Sequence, residues 1–145
     1  MPLSTKLFTL FKSLRERSNL LQEHYQILVK SFGIKKLKSF LLHESIIFST
    51  ITSKDGKKFH FEMTIFRSHL HEGGLTICLT NENRKILSSL TFNFGKYKNH
   101  KPFITIGGLH GSSLGKDAII SATRNLSGLR PKHTLLTCCY NFASS

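Results

Sequence analysis

The hydrophobic period of this chain changes near Glu44, and that change fixes what it can fold into. Before Glu44 apolar residues recur every three or four positions; after it they alternate. Ile46 to Thr52 (IIFSTIT) is β-branched and strand-like. Ser53-Lys54-Asp55-Gly56 follows, and Asp-Gly is a strong hairpin signal because glycine accepts a positive φ. Lys58 to Arg67 then places Phe59, Phe61, Met63 and Ile65 on one face, with His60, Glu62, Thr64 and Phe66 on the other. Phe66 implies that the second face is covered as well. Three more strands follow: Leu75–Leu79, Ile86–Phe94 and Phe103–Ile106. The connections between them are His69–Gly74, Asn81-Glu82-Asn83 and the basic loop Lys96–Lys101. Neighbouring strands with short turns predict an antiparallel meander of about five strands.

Helical patterns flank the meander, so the class is α+β: N-terminal helices, the meander, a helix, and a truncated C-terminal helix. Pro2 to about Ser31 carries Leu7, Leu10, Phe11 and Leu14, then Leu21, Tyr25 and Leu28 at helical spacing, with Ser4 as candidate N-cap. The stripe fits a helix covering a sheet; a basic membrane-surface helix is the alternative. Gly33 closes this helix, and Ile34–Leu42 forms a shorter one. After the last strand the glycine-rich turn Gly107-Gly108-x-x-Gly111 leads to a helix from about Ser113. Ile119, Ala122, Thr123 and Leu126 form its inner stripe, Ser112 or Ser113 its cap, and Gly128 its end. Leu129-Arg130-Pro131-Lys132 is expected to be extended, because proline disfavours helix at the preceding residue. Thr134 opens a final apolar segment of about nine residues, shorter than a typical globular helix of ~12 residues. A 145-residue chain is one domain or part of one, and this short ending predicts the amino-terminal part of a larger fold.

Charge narrows the partners. Lys+Arg number 21 and Asp+Glu 8, giving +13 and a pI near 10.0. Such a surface attracts polyanions: nucleic acid, anionic lipid headgroups or lipopolysaccharide. The basic residues form no dense run, so a merely solvated basic surface reads equally well. Three cysteines, two of them adjacent at Cys138-Cys139 and none in CxxC spacing, fit a reducing compartment. Lys6 and Lys12 interrupt the only apolar stretch near the start, so no signal-peptide pattern is present, and no run reaches the ~20 residues of a spanning helix. The expectation is a cytoplasmic protein whose membrane contact, if any, is peripheral at the inner membrane.

No catalytic constellation is complete. Two segments can hold a phosphate-bearing cofactor. Gly107, Gly108 and Gly111 lie between a strand and a helix, where free N–H groups bind phosphate, yet they match neither GxGxxG nor GxxxxGK[ST]. A tight turn needing small residues is the plainer reading. Gly128, Arg130 and Lys132 put two cations before a helix start, loosely like the pyrophosphate loop of GNAT-like acyltransferases. A C-cap glycine and an Arg-Pro boundary are the plainer reading. His69, His71 and Glu72 could offer metal ligands, with His69 and His71 on one strand face, but a site still needs a further ligand on that face and only the scattered His60 and His110 exist, so no metal site is expected. Lys57, Lys58, Lys96, Lys98, Lys101 and His100, with Tyr97 and Phe103, can form a basic-aromatic patch for single strands or anionic lipid.

Three segments in order resemble the VirK/YbjX family of bacterial proteins, a DUF535 domain of unknown biochemical function. They are Glu72-Gly73-Gly74-Leu75-Thr76-Ile77-Cys78-Leu79, then Leu90-Thr91-Phe92-Asn93-Phe94, then Ile106-Gly107-Gly108-Leu109-His110-Gly111 with Ala122–Leu126 and Gly128–Lys132. The His24-Tyr25 pair also fits, and the likeness covers most of residues 15–142. The resemblance implies a single domain over 1–145, its amino-terminal part only. It also implies an accessory protein tied to virulence, envelope integrity, resistance to cationic antimicrobial peptides and stress response. It carries over no catalytic residues. Members usually have Gln where His110 stands, and they are roughly double-length, continuing past the helix at Thr134. Acting through a basic surface is the first expectation. An acyl-CoA-dependent acyltransferase with half of a GNAT-like fold, holding the cofactor at Gly128, Arg130 and Lys132, is the second. Nucleic-acid binding is the third, and oligomeric state stays open.

Overall fold

The computed structural model describes residues 3–4, 14–70, 73–96, 98–99 and 101–144. Its centre is a six-stranded sheet in the order β1-β6-β5-β4-β3-β2. The strands are β1 (Leu3–Ser4), β2 (Ile46–Thr52), β3 (Lys58–Thr64), β4 (Leu75–Thr80), β5 (Ile86–Lys96) and β6 (Pro102–His110). From β2 to β6 every neighbour is antiparallel and consecutive, which is the expected meander. The helices are α1 (Leu14–Phe32), α2 (Ile34–Leu41), α3 (Lys116–Asn125) and α4 (Pro131–Ser144). None of the described helices is long and apolar enough to cross a membrane.

The pleat sorts the strands into two different faces. Phe59, Phe61 and Met63 of β3, Leu75, Ile77 and Leu79 of β4, Leu90, Phe92 and Phe94 of β5, and Ile104 of β6 share one face, and all are buried. Two helices close over this face. Phe142 of α4 stacks on Phe32 of α1 at 6.0 Å and lies 6.3 and 6.2 Å from Phe92 and Phe94. Leu28, Leu135 and Cys139 complete the layer with no exposed surface. Each such side chain, moved fully out of water, contributes about 1.5–3 kcal/mol.

The opposite face is polar and equally buried. Glu62, Thr64, Thr76, Cys78, Thr80, Ser89, Thr91 and Asn93 line it. Most of its groups are bonded, as burial requires: Thr76 and Thr91 hydroxyls lie 3.0 Å apart, and the Asn93 amide oxygen accepts the Gly74 N–H at 2.9 Å, while the Asn93 amide nitrogen has no partner among the described residues. The cover implied by Phe66 is present, since Phe66 packs edge-on to His69 and His69 stacks on His110 at 4.7 Å.

Several local expectations change. Leu3 and Ser4 are not helical: they pair in parallel with Ile104 and Thr105 at the outer edge of β6, so Ser4 is a strand residue rather than the expected helix cap. The apolar positions Leu7, Leu10 and Phe11 lie outside the described residues. The glycine-rich turn begins later than expected, because Gly108, Leu109 and His110 continue the ladder against Thr91, Leu90 and Ser89. Gly107 falls at a register shift in that ladder, where a strand glycine commonly marks a bulge. Helix α3 starts at Lys116 after Gly115 (φ 93), not near Ser113. Ser112 instead donates to the Ile86 carbonyl and accepts the Leu114 N–H. Lys132 is helical rather than extended, because Pro131 takes the first position of α4, where its missing N–H costs nothing. That helix runs 14 residues, not nine.

Candidate functional site

The antiparallel register decides which cations can act together. Lys58 pairs with Thr52, Thr80 with Ile86, and Ser89 with His110, so these ends of the strands lie along one margin of the sheet. Lys96 pairs with Pro102 at the other margin. Eleven residues of β5 separate the two, roughly 35 Å of strand. The basic-aromatic patch expected from Lys57, Lys58, Lys96, Lys98 and Lys101 is therefore split in two. Tyr97 and His100, counted in it, lie outside the described residues.

The margin with Lys57 and Lys58 is the one that gathers further charge. Helix α3 carries Lys116, Ile119, Ile120, Thr123 and Arg124 at i, i+3, i+4, i+7 and i+8, which is one helix face. With Arg130 these residues line an open, groove-like cavity of about 540 Å³. A second hollow of about 380 Å³ adjoins it, between Asp55 and Lys57 of the β2–β3 turn and Asp117, Ser121, Arg124 and Asn125 of α3. Arg124 belongs to both. Of the inner stripe expected for α3, Ala122 and Leu126 are buried, but Ile119 and Thr123 are only half-buried and line the cavity, beside Ile120, which is 45% exposed.

The expected site residues divide. Gly128 (φ 88) ends α3, its N–H bonding the Thr123 carbonyl at 2.9 Å, and it turns the chain so that Arg130 enters the cavity wall. The Arg130 carbonyl accepts both the N–H and the hydroxyl of Thr134, at 2.9 and 3.1 Å, which fixes the first turn of α4. Lys132 lies against Gly111: a Cβ on that glycine would sit 3.4 Å from Lys132 Cε. The two glycine-containing segments therefore do meet, through Gly111 and Lys132. Gly107 and Gly108 stand apart, inside β6. Lys116 and Arg124 sit in no binding motif of the sequence. Their signal is the helix face that puts two cations beside Ile119, Ile120 and Thr123, overlapping the apolar stripe.

Other groups are structural in their chemistry. Glu62 is buried and accepts hydrogen bonds from Ser45, Thr80 and Arg84, with Arg84 paired through two nitrogens. Desolvation pushes its pKa up, but the bonds from Arg84, Thr80 and Ser45 outweigh that and hold it below the ordinary carboxylate value. Burial raises the thiols of Cys78 and Cys139 to about 12 and that of Cys138 to about 11, so none is a ready nucleophile. His69 lies on the polar face, within 3.4 Å of the Thr91 hydroxyl. His71 and Glu72 lie outside the described residues. No group of three metal-ligating side chains occurs among the described residues.

Comparison with known proteins gives the family. The profile of a family described as "Protein of unknown function (DUF535)" matches residues 3–145. The chain is 27% identical over 125 residues to the "Uncharacterized protein YbjX" of Escherichia coli (strain K12). That alignment covers 85% of this chain and 38% of YbjX, so the chain spans about two fifths of the relative it matches. No solved structure matches it significantly.

Proposed function

The chain belongs to the DUF535 family, which includes YbjX-like proteins, and for this member we propose an accessory role: binding phosphate-bearing anionic surfaces through the groove around α3 and the start of α4. The observation that carries the proposal is the convergence of Lys116, Arg124 and Arg130 on one cavity whose other walls include Ile119 and Ile120. Cations beside exposed aliphatic side chains suit the boundary between a phosphate headgroup and an acyl chain better than a bare polyphosphate. Lys57 and Lys132 add charge at the same margin, and Asp55 and Asp117 keep it from being uniformly positive. On this reading the protein acts peripherally at the inner face of a bacterial envelope. The roles in virulence, antimicrobial-peptide resistance and stress response that the family resemblance implies would follow from that placement.

Vesicle co-sedimentation tests this. The protein should partition onto phosphatidylglycerol-containing vesicles and not onto pure phosphatidylcholine, with binding that weakens as salt rises. At about 1 kcal/mol per cation near an anionic surface, Arg124→Ala with Arg130→Ala should weaken partitioning roughly 30-fold. Unchanged binding by that pair of substitutions would sink the groove as the site. Tighter, steeply salt-dependent binding to DNA or RNA would favour a nucleic-acid partner instead. Saturable acyl-CoA binding lost in Arg130→Ala would favour the acyltransferase reading.

A further inference from the structure

The sheet ends on one side at the short β1 and on the other at β2, which has no outer neighbour among the described residues. An edge strand presents unpaired N–H and C=O groups, and monomeric proteins usually protect it with charge, proline or brevity. Ile46–Thr52 has seven residues, none charged and none proline. Its last six are exposed, with Ile47 at 41%, Phe48 at 42% and Ile51 at 37%. Beside it, between β2 and α4, runs an apolar groove of about 450 Å³ lined by Phe48, Ile51, Phe61, Leu129, Cys138 and Phe142. The only irregularity along the edge is a bulge between Ile47 and Ser49.

We propose that β2 is a homodimer edge, pairing antiparallel with β2 of a second copy to join two sheets across a two-fold axis. Register is the argument. Opposed residues in an antiparallel pair share a face. Ile46 and Ile51 lie on the helix-covered face, opposite Met63 and Phe59; Ile47 and Thr50 lie on the polar face, opposite Glu62 and His60. Ser49 pairs with Phe61 and Phe48 packs 6.1 Å from the Phe61 ring, so both of these belong to the helix-covered side. A two-fold axis between Phe48 and Ser49 sets Ile46 against Ile51 of the second copy, Ile47 against Thr50, and Phe48 against Ser49. Every pair then shares a face. A shift of one residue either way breaks the match, because the bulge has displaced the alternation. The bulge is therefore what makes the strand complementary to itself.

Charge agrees. Two residues before the strand stands Glu44, and just after it the turn Ser53-Lys54 begins. The same axis places the Glu44 end of one copy's strand beside the Lys54 end of the other's, at both ends of the pair. Two chains of +13 repel through most of their surface, and this uncharged strip with opposite charges at its ends is where they can approach.

Sedimentation equilibrium across a concentration series tests it. The wild type should shift from 16.5 kDa to twice that mass. Ile47→Lys, at an exposed position, should raise the dissociation constant about tenfold or more, while Tyr140→Lys, 60% exposed on α4 and outside the strand, should not. Glu44→Lys should weaken the dimer, and Glu44→Lys with Lys54→Glu should restore it. Circular dichroism verifies that each variant is folded. A wild type that stays monomeric at every concentration, an Ile47→Lys variant that dimerises as well as wild type, or a charge swap that fails to restore the dimer overturns the proposal.

Discussion

Acid should destabilise this protein through one imidazole well before it does so through carboxylates. His24 sits on α1 with no exposed surface, stacked on Phe94 at 5.6 Å. Its Nδ1 accepts the Phe94 N–H at 2.9 Å, so the neutral ring carries its proton on Nε2, which has no partner among the described residues and faces Gly74. Protonation would place a charge in the core and turn the accepting nitrogen into a second donor. Burial accordingly lowers its pKa from 6.5 to about 4. The folded chain then binds this proton less readily than the unfolded one. Stability from this source is complete above about pH 7, falls through the window from 6.5 to 4, and is gone below it. At about 1.4 kcal/mol per pH unit the full loss is about 3 kcal/mol, of which about 2 kcal/mol is reached by pH 5. Urea unfolding at pH 7.5 and pH 5, for wild type and His24→Gln, measures it. Glutamine can still accept the Phe94 N–H but does not titrate. Its baseline stability should drop by about 1–2 kcal/mol for the lost ring, and its pH dependence should be flatter than wild type by about 2 kcal/mol. A glutamine variant with the wild-type slope would refute the assignment to His24.

The remaining predictions concern neighbouring features. A Cβ on Gly73 would meet the Phe92 backbone at 2.8 Å, and one on Gly74 would meet His24 Nε2 at 2.5 Å, whereas Gly56 (φ 79) has open space. Urea midpoints should therefore show Gly73→Ala and Gly74→Ala costing about 2–3 kcal/mol and Gly56→Ala about 1 kcal/mol. Arg84→Ala leaves the Glu62 carboxylate buried with fewer donors, so it should cost about 1 kcal/mol at neutral pH, discounted because the Arg84 side chain is 51% exposed. That substitution should raise the acid midpoint too, since a carboxylate depressed in the folded state stabilises only above its unfolded pKa. Thiol titration at pH 8 should find Cys78 and Cys139 slow in the folded protein, Cys138 faster than both, and all three immediate in denaturant; a fast native thiol at position 78 or 139 would contradict the burial of that side chain.

Much of the fold was legible because each strand advertised itself locally. Asp55-Gly56 made the hairpin, the alternation in β3 named its buried face, and Gly33 and Gly128, both at positive φ, closed their helices. What escaped was set by partners distant in sequence. Leu3-Ser4 joins the sheet only because β6, a hundred residues away, offers a free edge. Gly107-Gly108 resembles a turn until Thr91 extends the ladder beside it. Glu62 looks like a solvent-facing strand residue until Arg84 and Ser45 arrive to bond it. The site behaves likewise. Arg130 stood out as half of an Arg-Pro boundary, but Lys116 and Arg124 gain meaning only when α3 lies against the start of α4.

The groove and the core are mechanically one unit, because α4 spans both. Its first turn sets Arg130 in the cavity wall and Lys132 against Gly111. Its last turns lodge Phe142 among Phe32, Phe92 and Phe94, near the far ends of β5 and α1. Between them Leu135 and Cys139 are fully buried, which leaves the helix little room to slide. The cationic margin thus inherits its geometry from an aromatic cluster several helical turns away. It is also why the polar face of the sheet contributes little to that margin: the helices pack on the apolar side, and the cations travel with them. Charge on the loops alone would be a solvated fringe; charge carried on α3 and at the head of a helix pinned in the core is held in one place.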